Sequence, residues 1–135
     1  MSHLIFNLNN AILKKNMAAF DYDWTVVCPK DGKTFPNSIE DWEWLYPDII
    51  KKIRKYNEMD YMVVFFTNQS KPWKYDQIKI VLNLLEIPLF IVIAIKRDEY
   101  KPNINLFKDL VLDFEINKSE SFFVGDALGR KGDHS

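Results

Sequence analysis

Four apolar runs in this chain each lead, in a fixed order, into polar residues that can handle a phosphoryl group. Met17-Ala18-Ala19-Phe20 runs into Asp21-Tyr22-Asp23, and Met62-Val63-Val64-Phe65-Phe66 runs into Thr67-Asn68-Gln69. The run from Leu89 to Ile95 leads on to Tyr100-Lys101-Pro102, and Ser121-Phe122-Phe123-Val124 runs into Gly125-Asp126. A carboxylate nucleophile divides phosphomonoester hydrolysis into two easier displacements through an acyl phosphate. Asp21, first after its run, is placed for in-line attack. Asp23, two residues on, can protonate the leaving alkoxide and then deprotonate the attacking water. Thr67 can donate its hydroxyl to a phosphoryl oxygen, and Lys101 can neutralise charge on the phosphoryl group and on Asp21. Lys96 lies nearer its apolar run and competes with Lys101 for that role. Asp21 with Asp126 makes a hard oxygen pair suited to Mg²⁺.

The elements that must hold these residues follow from the same pattern. Short apolar runs bounded by turn signals read as strands buried on both faces. Ligands of open α/β sheets bind beyond the carboxyl ends of such strands. Helical patterns fall between the runs: about Asp48 to Met59 after Pro47, Tyr75 to Leu85, and a helix opened by Pro102 that carries Ile104, Phe107, Leu110, Val111 and Phe114. Strands alternating with helices predict an α/β fold, a Rossmann-like, right-handed, doubly wound parallel sheet. Leu4 to Lys15 reads as two short strands around Asn9-Asn10, an N-terminal hairpin over residues 1–16 ahead of a catalytic core over 17–135. Val26-Val27, Asp31-Gly32 and Thr34-Phe35 predict a small hairpin standing over the rim as a flap. A further helix and edge strand usually follow such a unit, so the C-terminal edge is expected to be truncated.

With 135 residues, 47% of them hydrophobic, the composition is that of one globular domain. A formal charge of −1 gives no overall attraction to nucleic acid or an anionic membrane, so a polyanion must be held by a local patch. The single cysteine, Cys28, excludes an internal disulfide and reads as a small flap residue in a reducing compartment. No basic region followed by an apolar core opens the chain, and Ile87 to Ile95 is about half a membrane span. A soluble intracellular protein is expected.

The ordered set resembles the haloacid dehalogenase superfamily of phosphatases. It resembles most closely the DNA 3′-phosphatase family, which includes the phosphatase domain of polynucleotide kinase/phosphatase. The similarity runs from about Met17 through Phe20-Asp21-Tyr22-Asp23-Trp24-Thr25, Asp31-Gly32-Lys33-Thr34-Phe35-Pro36, Asp41-Trp42 and Leu45-Tyr46-Pro47. It continues through Phe66-Thr67-Asn68-Gln69, Tyr100-Lys101-Pro102 and Phe123-Val124-Gly125-Asp126-Ala127-Leu128-Gly129-Arg130. The resemblance implies a capless fold and a Mg²⁺-dependent phosphatase with Asp21 as nucleophile and Asp23 as acid/base. It implies phosphate binding by Thr67, Asn68 and Lys101, and metal binding by Asp21, Asp23, Asp126 and Asp133. One departure stands inside the first motif: Trp24 replaces the glycine usual after the second aspartate.

The spacing bears on the substrate. Neither the gap from Asp23 to Thr67 nor that from Thr67 to Lys101 has room for a separate cap domain, so the rim is expected to be open. An open rim admits a polymer end, whereas a small substrate usually needs a lid. Lys33, Lys71 and Arg130 are the candidate nucleic-acid contacts, with Lys30, Trp73, Lys74 and Lys131 nearby. The expected activity is removal of a 3′-phosphate from a nucleic-acid end, most naturally DNA, in repair, with room for a kinase or ligase module outside this chain. Two alternatives stand beside it: a small-molecule phosphomonoesterase akin to histidinol phosphatases, and a catalytically weak module that binds nucleic-acid ends.

Overall fold

The computed structural model of the chain describes residues 3–30, 38–69, 71–94 and 121–124. Nine elements fall in these segments: β1 (His3–Leu8), β2 (Met17–Asp21), β3 (Val27–Cys28), β4 (Glu43–Trp44), α1 (Ile49–Glu58), β5 (Met62–Asn68), α2 (Pro72–Asn83), β6 (Leu89–Ala94) and β7 (Phe122–Val124). The main sheet has the order β1-β6-β5-β2-β7. Strand β2 pairs in parallel with β5 and β7, and β5 in parallel with β6, so the four apolar runs do form one parallel unit.

Side chains alternate across a strand with period two, and here both sets are apolar. Ala18, Phe20, Val63, Phe65, Leu89, Ile91 and Ile93 face one side, where α1 contributes Ile49 and Ile53 and α2 contributes Ile78, Val81 and Leu82. Met17, Ala19, Met62, Val64, Phe66, Phe90, Val92 and Ala94 face the other. Two-sided burial explains why these strands read as continuous apolar runs. Among the described residues both helices pack on the first face.

Two expectations are corrected. The sheet is mixed, because β1 runs antiparallel to β6, from His3 opposite Ala94 to Leu8 opposite Leu89. Residues 3–16 therefore form no local hairpin. Asn9 and Asn10 do take left-handed backbone, with φ of 60° and 58°, and the Asn7 side chain closes the turn by accepting from the Ala11 N–H at 2.8 Å and donating to the Ala11 carbonyl at 2.9 Å. The Asn9 side chain donates to the Ile87 carbonyl at 2.9 Å, fixing that turn beside the start of β6. Strand β1 places Leu4, Phe6 and Leu8 against the first face and Ile5 against the second, so a distant partner gives more burial than a neighbouring one.

The described partner of Val27–Cys28 is Glu43–Trp44, in a two-stranded antiparallel sheet. Asp31-Gly32 and Thr34-Phe35 of the expected flap turn lie outside the described residues, as does the helix expected after Pro102. Trp42 and Trp44 meet edge to face at 5.1 Å and pack against the core. Helix α2 starts three residues earlier than its periodicity suggested, with Pro72 in its first turn, where the missing N–H leaves no bond unmade. Among the described residues no helix is long and apolar enough to cross a membrane.

Candidate active site

Strand β2 ends at Asp21, and the neighbouring parallel strand β5 ends with Thr67 and Asn68. Both chains therefore deliver their polar residues to one rim, at carboxyl ends. Asp21 lies opposite Phe66 in the ladder and is buried. Beyond it the chain leaves the sheet through a tight loop: the Tyr22 N–H still bonds the Phe66 carbonyl at 3.1 Å, and the Tyr22 carbonyl accepts from Val26 at 3.0 Å. That loop brings Asp23 over the end of β5. Gln69 Nε2 donates to Asp23 Oδ2 at 2.6 Å and to Thr67 Oγ1 at 2.8 Å, and Thr67 Oγ1 lies 3.4 Å from the same carboxylate oxygen. The second oxygen, Oδ1, takes Lys74 Nζ at 3.1 Å.

The sequence reading set Lys74 among the rim lysines beside the candidate nucleic-acid contacts. It is instead a buried cation, its side chain 5% exposed against 33% for Asp23. An ammonium is rarely so enclosed unless paired. Here Asp23 pairs it and the Tyr22 ring, 5.4 Å from Nζ, covers its other side. A signal for this was available. Lys74, Ile78, Val81 and Leu85 recur at helical spacing, so a helix begun at Pro72 carries Lys74 onto the buried face.

A second layer braces the first. Tyr22, fully buried, donates its hydroxyl to Gln77 Oε1 at 3.1 Å, and Gln77 Nε2 donates to the Ser38 and Ile39 carbonyls at 3.2 Å each. Burial, followed by the charge of Asp23, pushes the Tyr22 phenol well above its ordinary value. Asp41 accepts from the Lys30 N–H at 3.0 Å. Helix α2, the β2 loop and the segment at 38–41 are thus tied into one polar network.

Trp24 takes φ of 62°, the left-handed region, which costs a bulky residue about 1–2 kcal/mol. The turn takes a geometry that suits glycine although tryptophan stands there. Its N–H bonds the Val27 carbonyl at 2.7 Å.

The structure thus brings Asp21, Asp23, Thr67 and Asn68 to one rim and adds Gln69 and Lys74, which sequence reasoning did not assign. Lys71 is exposed one turn away, at the start of α2. Lys101, Asp126, Asp133, Lys33 and Arg130 lie outside the described residues. Among the described residues no cluster of three or more metal-ligating side chains forms. Two carboxylates at the end of β2 are nonetheless the hard oxygen donors that Mg²⁺ takes, since it needs few protein ligands and keeps several waters.

The sequence matches the polynucleotide kinase 3 phosphatase family over residues 16–135. The chain belongs to that family. It is 31% identical over 132 residues to a bifunctional polynucleotide phosphatase/kinase of Schizosaccharomyces pombe, covering 90% of this chain and 32% of the yeast protein. An uncharacterized 20.8 kDa protein of Autographa californica nuclear polyhedrosis virus is 28% identical, over 93% of this chain and 73% of the viral one. The polynucleotide 3′-phosphatase ZDP of Arabidopsis thaliana is 28% identical, over 90% of this chain and 21% of the plant protein. The chain therefore spans about a third of the yeast relative and a smaller part of the plant one.

Proposed function

We propose that this chain is a polynucleotide 3′-phosphatase acting on DNA ends in repair, through an aspartyl-phosphate intermediate and with Mg²⁺. The observation that carries this reading is the Asp21/Asp23 pair at the end of β2, with Asp23 held by the β5 end and α2 through Thr67, Gln69 and Lys74. Family membership supports the same chemistry. Asp21 Oδ attacks phosphorus in line, the bond to the 3′ oxygen breaks, and Asp23 supplies the proton to the departing alkoxide. Asp23 then takes a proton from water as the water attacks the aspartyl phosphate. Thr67 and Asn68 bind phosphoryl oxygens, and Lys101 neutralises charge. Asp21, Asp23, Asp126 and Asp133 would hold Mg²⁺, which when bound supplies charge neutralisation for the transferring group. Lys33, Lys71 and Arg130 would track the phosphates of the strand. A haloacid dehalogenase-type fold without a cap belongs to the same proposal. So does a kinase or ligase module beyond this chain; the yeast relative is a bifunctional polynucleotide phosphatase/kinase.

The test is phosphate release from a 3′-phosphorylated oligonucleotide with Mg²⁺ or chelator, beside Asp21→Asn. Release that needs both Mg²⁺ and Asp21 is the expected result. Turnover of sugar or amino-alcohol phosphates with none of the oligonucleotide would refute the substrate class, and oligonucleotide binding without release would refute the enzyme.

A further inference from the structure

Trp24 follows Asp23 directly, on a loop whose ends are fixed by hydrogen bonds from Trp24 to Val27 at 2.7 Å and from Val26 to Tyr22 at 3.0 Å. Its left-handed backbone is one that a large residue adopts at a cost and glycine adopts freely. Costly backbone of this kind concentrates at functional sites, where it sets the aim of a side chain. The residue is 37% exposed, and no aromatic ring or cation stacks on its indole among the described residues. Trp42 and Trp44, by contrast, meet edge to face and pack against the core. A partly exposed indole on a braced loop loses little freedom when a flat partner arrives.

Trp24 stands three positions after Asp21, so their Cα atoms lie within about 11 Å. A nucleotide whose phosphorus sits at Asp21 has its base one sugar ring away, within that reach. The formal charge of −1 means that general attraction to a polyanion cannot supply the affinity for such an end. Stacking on an aromatic ring can, and it accepts any base, because every base presents a π-face.

We propose that Trp24 stacks on the base of the terminal nucleotide that carries the 3′-phosphate, making it a specificity-determining residue of this site. The assignment rests on the phosphatase reading above. It names the substrate as an end with its base intact, in preference to an abasic sugar phosphate.

Two oligonucleotides test it, identical except that one ends in a nucleotide 3′-phosphate and the other in an abasic deoxyribose 3′-phosphate. The readout is the ratio of kcat/KM for the two, in wild type, Trp24→Phe and Trp24→Leu. The wild type is expected to favour the base-bearing end. Trp24→Leu is expected to shrink that preference roughly ten- to a hundred-fold, mostly through KM, and Trp24→Phe to keep most of it. A Trp24 that merely shapes the loop lowers both rates and leaves the ratio in place, and that result overturns the assignment. Equilibrium binding of the same two ends in an Asp21→Asn background separates the two readings. Base preference that depends on Trp24 without phosphate release overturns only the phosphatase. Phosphate release with a ratio indifferent to residue 24 overturns only the stacking.

Discussion

Replacing Lys74 with methionine removes an ammonium whose surroundings are already assembled around it. The methionine stem fills most of the lysine's space, so the change isolates the charge. Severing a fully buried ion pair costs about 3–5 kcal/mol, whereas an exposed pair is worth about 0–1 kcal/mol. This pair lies between the two, with its lysine enclosed and its carboxylate a third open to water. Asp23 also keeps Gln69 and Thr67 when the ammonium is gone. Lys74→Met should therefore cost about 1–3 kcal/mol of unfolding free energy, read by urea denaturation near neutral pH. Asp23→Asn should cost at least as much, because it strands the buried ammonium. The double variant should be more stable than the sum of the single losses by about 1 kcal/mol or more, the coupling of residues in one network. Because the pair is shielded, most of that coupling should survive added salt. Losses that simply add to within about 0.5 kcal/mol would show that the two charges do not support each other, and the account of Lys74 given above would be wrong.

Alkaline pH should reveal Tyr22. Its folded-state phenol titrates above the unfolded one, so the folded chain keeps a proton that the unfolded chain loses, and stability should fall as pH rises past about 10. The slope from this group is at most about 1.4 kcal/mol per pH unit, and Tyr22→Phe should remove it; parallel wild-type and variant profiles between about pH 9 and 11 would refute the cause. Cys28 is held above its ordinary value by burial, then by the charge of Glu43 and a contact from its Sγ to Glu43 Oε1 at 3.9 Å. Thiol alkylation should accordingly be slow at neutral pH and accelerate in Glu43→Gln, as a rate–pH curve would show. Gln77→Leu leaves the Tyr22 hydroxyl and two carbonyls at 38 and 39 without their partner and should cost about 1–3 kcal/mol, with faster proteolysis at 38–41.

The parts of this structure that could be read in the sequence are those set by local rules. Strands β2, β5 and β6 were visible because burial on both faces leaves an unbroken apolar run, and Asp21 and Thr67 were placed because each ends such a run. Asn9 and Asn10 announced left-handed backbone through their residue type. What they could not announce was where the chain went next. Leu4, Phe6 and Leu8 alternate as a strand should, but their partner is β6, and pairing between segments so far apart leaves no trace in either one. Lys74 was misjudged for the same reason. A lysine at the start of a helix is normally solvated, and only a carboxylate arriving from the β2 loop makes its burial tolerable.

The antiparallel seam between β1 and β6 has a consequence for how the chain behaves before it is finished. Strand β6 is the apolar hexapeptide LFIVIA, buried along its whole length, and β1 covers its outer edge. Of the paired strands, β1 emerges first from the ribosome, yet it can dock only after residues 89–94 have been made. Once β6 is made and until β1 docks, an edge with high β-propensity, no charge and no proline stands open to other chains. A variant weakened in β1, or a fragment begun after Leu8, should then accumulate as aggregate with its catalytic rim intact in sequence. Solubility in this protein depends on a strand that contributes nothing to its chemistry.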